Sequence, residues 1–166
     1  MKNNIFISVL FFLLLLFIED GMAGWGGAMR CSSCSYRSDV LHAGQGKATS
    51  CAVIRCFNCR GCFQLLVDYN EDSIRHAFAD PDRELAELKK KKAVRIGREM
   101  DPELKVEVNL YACPKCGKKA REVPEDVLLK MRAIQDEKGS CRASSFIKCP
   151  CCGHGSLFIE NTLKWD

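Results

Sequence analysis

Cys113-Pro114-Lys115-Cys116-Gly117 is answered, further along the chain, by Cys149-Pro150-Cys151-Cys152-Gly153. Two residues between the cysteines of a pair let one turn of chain aim both sulfurs at a common point, and two such pairs supply the four thiolates of a structural zinc ion. Pro114 and Pro150 preset φ just after the first cysteine of each pair. Gly117 and Gly153 can take the positive φ with which such a turn leaves the metal. The spacing therefore predicts one metal site built from Cys113, Cys116, Cys149 and Cys152.

On these motifs, residues 111–162 resemble a zinc ribbon, the family of CPxCG knuckle pairs carried on short antiparallel hairpins. The resemblance implies a four-cysteine zinc site and a role in binding nucleic acid or protein, seldom catalysis. Tyr111-Ala112-Cys113 is also similar to the entry into a rubredoxin knuckle, where iron replaces zinc, and ligand softness alone does not separate the two metals. The sequence between the knuckles lacks the aromatic-rich core of rubredoxins.

Earlier in the chain, Cys31-Ser32-Ser33-Cys34 and Cys56-Phe57-Asn58-Cys59 repeat the spacing. Ile54-Arg55-Cys56-Phe57-Asn58-Cys59 aligns with Ile147-Lys148-Cys149-Pro150-Cys151-Cys152 in its apolar residue, its basic residue and both cysteines, and reads as an internal repeat. A second site at Cys31, Cys34, Cys56 and Cys59 follows from that alignment, giving one or two zinc ions in all. The first copy departs from the pattern, since Ser35 and Arg60 replace the glycines and neither knuckle has a proline. Cys62 offers a rival pair with Cys59, and disulfides or buried free thiols are the alternative to metal in this copy.

The 166 residues allow one domain or two small ones. Hydrophobic residues make up 47%, a figure that counts twelve cysteines and a leading apolar run, so the remaining core is thin. Small domains of this kind depend on metals or disulfides, and a structural zinc brings roughly 10–16 kcal/mol of apparent free energy. A net charge of +4 is too modest to argue for nucleic acid by itself.

Residues 1–23 read as an export signal or an N-terminal anchor. Lys2 precedes an apolar run over 5–18 that would cover only about 21 Å as a helix, short of the roughly 30 Å hydrocarbon core, and Gly21-Met22-Ala23 suits a cleavage site. Membrane contact is expected through this segment alone. Export conflicts with four-thiolate zinc, because oxidising compartments turn cysteines into disulfides. A true start at Met22 or Met29 would instead make the protein cytoplasmic.

Between the copies, residues 68–104 form a charged connector. Asp80 as N-cap with Pro81 at the first helical position predicts a short helix running into Lys89, Lys90, Lys91 and Lys92. That run is the candidate partner-binding stretch, set against a solvated helix end, since residues 63–112 hold eleven acidic and nine basic residues. Strands are expected at 63–67, 105–111 and 157–159, a loop at 42–50, and a helix at 124–138 ended by Gly139, with Val127, Leu128, Met131 and Ile134 on one apolar face. Cys51, Cys62, Cys141 and Cys151 are left over, an even number that allows two disulfides, and Cys151 reads as an incidental or a redox thiol. Of His42, His76 and His154, the last is closest to a knuckle and is read as a turn residue.

The division is thus 1–23 leader, 24–67 first ribbon-like unit, 68–104 connector and 105–166 second ribbon with inserted helix. The fold class is a small metal-stabilised α+β protein of two zinc-ribbon-like antiparallel units. No phosphate-cradling glycine loop, His-Glu-x-x-His helix or nucleophile elbow is present, and a closed four-thiolate site has no open position for water. The expectation is a non-enzymatic macromolecule-binding or assembly module, whose partner is a protein or a nucleic acid and not a small-molecule substrate. An exported disulfide-stapled protein and a thiol or iron redox protein are the alternatives.

Overall fold

The structure, a computed structural model, describes residues 24–131, 134–135, 141–142 and 147–165. The leader reading of 1–23 lies outside these. Among the described residues no helix is long and apolar enough to cross a membrane.

In chain order the elements are β1 (Gly24–Cys31), β2 (Arg37–Gln45), β3 (Thr49–Cys56), β4 (Gly61–Tyr69), α1 (Glu71–Ala77), α2 (Pro81–Lys91), β5 (Arg95–Met100), β6 (Glu107–Ala112), β7 (Lys119–Val123), α3 (Glu125–Lys130), β8 (Ile134–Gln135), β9 (Cys141–Arg142) and β10 (Leu157–Trp165). Eight strands join in one sheet of order β10-β1-β2-β3-β7-β6-β5, with β4 also pairing β3, while β8 and β9 form a small ribbon. Every pairing between named strands is antiparallel.

The sheet turns on β3. Ala52, Val53, Ile54, Arg55 and Cys56 are all buried, as befits a strand covered on both faces. Side chains alternate along a strand. Val53 accordingly enters one apolar cluster, with Met29, Leu41, Leu128, Met131, Ile147, Leu157 and Ile159. Ile54 and Cys56 enter another, with Leu65, Tyr111, Cys113 and Ala120. Neither core closes without cysteines: Cys31 and Cys149 belong to the first, Cys56 and Cys113 to the second.

α2 starts as its sequence prescribes, with the Asp80 side chain accepting from the Arg83 N–H and Pro81 at the first position. The expected strands at 63–67, 105–111 and 157–159 lie on β4, β6 and β10, though β6 starts only at Glu107 and β10 runs on to Trp165. Two expectations are corrected. His42 to Gln45 belong to β2, because Gly44 and Gln45 pair with Cys51 and Ser50, so the loop shrinks to residues 46–48. The helix over 124–138 is only Glu125–Lys130, and Ile134 sits on β8. Here the Met131 carbonyl accepts the Ile159 N–H at 2.8 Å, so β10 takes the acceptor that a next helical turn would have used. Gly139 lies outside the described residues. α1, capped by Asn70 accepting from Ser73 N–H, was not anticipated from sequence.

Candidate metal centres

Each cysteine pair occupies a tip where one strand ends and its neighbour begins: 31–34 between β1 and β2, 56–59 between β3 and β4, 113–116 between β6 and β7, and 149–152 just ahead of β10. Which tips meet is therefore decided by which strands are neighbours. β1 pairs β10, with Cys31 opposite Leu157 and Met29 opposite Ile159. β3 pairs β7, with Arg55 opposite Arg121.

Two clusters result: Cys31, Cys34, Cys149 and Cys152 form an outer centre, and Cys56, Cys59, Cys113 and Cys116 an inner one nested within it in sequence. All eight predicted cysteines are used, but the predicted grouping is not. Cys113 and Cys116 do not meet Cys149 and Cys152, nor do Cys31 and Cys34 meet Cys56 and Cys59. Grouping by adjacency in sequence fails because the sheet interleaves strands from both halves of the chain.

Within each centre the four sulfurs lie within 4.8 Å of one another. Between knuckles the sulfurs stand 3.7 Å apart for Cys31 and Cys152, 3.9 Å for Cys34 and Cys149, 3.6 Å for Cys56 and Cys116 and 3.4 Å for Cys59 and Cys113. A tetrahedral ion with metal–sulfur bonds of about 2.3 Å would set sulfurs about 3.8 Å apart. A disulfide requires about 2 Å. The sulfur positions thus fit a four-thiolate metal ion, and the eleven described cysteine side chains are free thiols.

Backbone N–H groups prepare the sulfurs for negative charge. The N–H of Ser33 points at Cys31 Sγ and that of Gly155 at Cys152 Sγ, both at 3.3 Å. Donors from Gly155 and His154 bring the Cys152 thiol down to about 6, and a donor from Lys118 brings Cys116 down to about 7. Burial drives Cys149 the other way, up to about 12, and burial with crowding by Cys113, Cys56 and Cys116 raises Cys59. Each centre is thus split between a thiol that ionises readily and one that cannot join it unaided. Four thiolates this close need a cation to coexist.

The knuckle turns share a backbone. Gly117 N–H donates to the Cys113 carbonyl at 2.8 Å and Gly153 N–H to the Cys149 carbonyl at 2.9 Å. Gly117 leaves at φ +68, Gly153 at φ +72, and Arg60, where the pattern lacked a glycine, at φ +56. Gly155 is needed for another reason: a Cβ there would stand 2.4 Å from Cys31 Sγ.

The remaining candidates are not ligands of either cluster. Cys62 is buried, its thiol pushed up to about 11 by desolvation, and its backbone N–H donates to the Tyr36 hydroxyl at 2.8 Å. Cys59 and not Cys62 thus partners Cys56. Cys51 accepts from Gln64 Nε2 at 3.3 Å, Cys151 is exposed, and Cys141 lies on β9. His42 faces Gln64 Oε1 at 3.2 Å, and His76 Nδ1 lies 2.7 Å from the Asp72 carbonyl. His154 is in an exposed turn.

Of the lysine run, Lys92 is tied to Asp68 at 2.6 Å and Lys90 to Glu87 at 2.9 Å. Ala93, directly after it, packs on the cluster that holds Cys56 and Cys113.

A buried ion group lies between the two centres and was missed from sequence. Arg55, 2% exposed, donates to Asp101 at 3.0 Å, to Glu103 at 2.5 Å and to the Lys148 carbonyl at 3.3 Å. Glu103 also accepts the Lys148 N–H at 3.1 Å. Arg55 precedes Cys56 and Lys148 precedes Cys149, so this group fastens one ligand strand of each centre to the other. A lone Arg beside a cysteine and a DxE in a connector carry no spacing signal that would have paired them. Comparison with family models, curated proteins and solved structures finds no match to this chain.

Proposed function

We propose that the chain is a non-enzymatic zinc protein of ribbon type, in which two four-thiolate zinc ions brace a macromolecule-binding or assembly module. The observation that carries this reading is the pair of sulfur clusters, whose 3.4–3.9 Å contacts between knuckles match the edges of a zinc tetrathiolate. The four-thiolate set suits zinc and iron alike, and zinc is preferred because the sequence between the knuckles lacks the aromatic-rich core of rubredoxins and an ion without redox chemistry supplies folding energy to a thin core. With all four positions taken by sulfur, no site remains for water or substrate, which supports a binding role over catalysis.

Metal analysis with intact mass on protein from its native host tests this. Two equivalents of zinc and no mass loss from disulfides are expected. A coloured iron protein, or one without metal and without free thiols, overturns the reading. The same mass reports whether residues 1–23 are removed, the test of the export or anchor proposal.

A further inference from the structure

Both centres present the same four thiolates and hold the same charge once a divalent ion is bound, yet their surroundings differ. Residues 55–60 and 113–121, which form the inner knuckles and their exits, contribute Arg55, Arg60, Lys115, Lys118, Lys119 and Arg121 and no carboxylate. The outer stretches 30–39 and 148–157, taken equally far past their knuckles, contribute Arg30, Arg37 and Lys148 and the carboxylate of Asp39, with Arg30 and Arg37 both held by Glu160, at 2.8 and 3.6 Å. Neutralising the metal centre cannot explain a cation cluster present at one centre and missing at its electrostatic equal.

The cations divide by occupation. Lys119 and Arg121 share Glu99, and Arg55 is buried on Asp101 and Glu103. Arg60, Lys115 and Lys118 are exposed and form no ion pair among the described residues. Beside them stands Phe57, 40% exposed at the knuckle tip, with the guanidinium of Arg55 4.7 Å and that of Arg121 5.9 Å from its ring centre. An apolar ring costs free energy at an exposed turn. Beside unpaired cations it supplies a stacking surface for an unpaired base whose phosphates the cations meet.

We propose that this face, Phe57 with Arg60, Lys115 and Lys118, binds single-stranded nucleic acid, an inference that rests on the metal-braced binding module argued above. The linear sequence hides it, because Phe57 and Arg60 come from one knuckle and Lys115 and Lys118 from another, brought together by the β3–β7 pairing and the inner centre. An acidic protein would satisfy the cations but does not account for the aromatic set among them.

The test uses the full zinc-loaded chain, with fluorescence anisotropy against single-stranded polythymidine and polyuridine oligomers, duplex DNA and polyglutamate across a salt series. Zinc is counted in every sample. The single strands should bind more tightly than duplex, with affinity falling as salt rises at a log–log slope of about −0.7 per phosphate contacted. Preference between the two oligomers distinguishes DNA from RNA, and binding of either supports the proposal. The triple variant R60Q/K115Q/K118Q should bind about a hundredfold more weakly near 0.1 M salt, by the loss of three such contacts. Phe57→Leu should weaken binding about tenfold with the salt slope unchanged. Lys148→Gln, at the outer centre, should change nothing.

Absence of strand binding by protein holding two zinc equivalents overturns the proposal and leaves the metal reading intact. Equal binding of duplex or polyglutamate, insensitive to Phe57→Leu, overturns it in favour of a general polyanion or acidic protein surface. Strand binding by protein that never held zinc would instead remove the metal reading.

Discussion

Arg60 stands at φ +56 at the exit of an inner knuckle, in the conformation that Gly117 and Gly153 adopt at theirs. An L residue there costs about 1 kcal/mol relative to glycine. Arg60→Gly should therefore stabilise the protein by about that amount, and Gly117→Ala should destabilise it by about as much. No atom lies within 4 Å of where the Gly117 Cβ would sit, so the change isolates backbone strain from crowding. Urea midpoints with zinc in excess read both signs. The ligand sets make a sharper residue-scale prediction. Cys116→Ser should leave Cys56, Cys59 and Cys113 open to alkylation while Cys149 and Cys152 stay protected, with zinc content falling from two equivalents to one. Loss of protection at Cys149 and Cys152 instead would restore the grouping that sequence adjacency suggested.

Among the elements, the turn between β5 and β6 does more than connect them. The Asp101 carboxylate accepts the N–H groups of Glu103 and Leu104 at 2.8 and 3.0 Å while holding Arg55. Burial favours its neutral form, but those two N–H groups and the Arg55 charge outweigh it, and its pKa is lowered. A carboxyl with a depressed folded pKa contributes its full stability above the unfolded value of about 3.9 and loses it as pH falls through the lower folded one. Asp101→Ala should cost about 3–5 kcal/mol near neutral pH, because Arg55 is left buried with one of its two carboxylates gone. The penalty should shrink in acid, where the wild-type carboxyl loses its charge too. Chemical denaturation of both proteins across pH, with zinc held in excess, checks the size and the pH window.

At the scale of the whole molecule, each centre takes one cysteine pair from each half of the chain. Metal ions held there would staple residues before α1 to residues after β5, and the β1–β10 and β3–β7 pairings already join the two halves. A protease site placed at the exposed residues 78–80 between α1 and α2 should, once cut, leave two fragments that coelute while metal is bound. A strong chelator should release them and unfold the remainder, since the two zincs proposed above would account for roughly 10–16 kcal/mol each of apparent stability. Fragments that separate with zinc still bound would show each half to hold its own metal. The centres also couple through Arg55, so Asp101→Ala should speed zinc loss from both.

Sequence alone determined much of the chemistry. The spacing of paired cysteines named all eight clustered thiols, backed by proline and glycine in the two later knuckles and by alignment with them in the earlier two, because a knuckle is closed by local dihedrals and needs no distant information. The Asp80-Pro81 helix start was legible for the same reason. The helix over 124–138 and the loop over 42–50 were not, since partners on β10 and β3 claim backbone groups that local propensity assigned elsewhere. Only the tertiary structure decided which pairs share an ion. That depends on strand order, with β10 beside β1 and β7 beside β3, and strand order is set by burying both faces of β3 against residues far away in the chain.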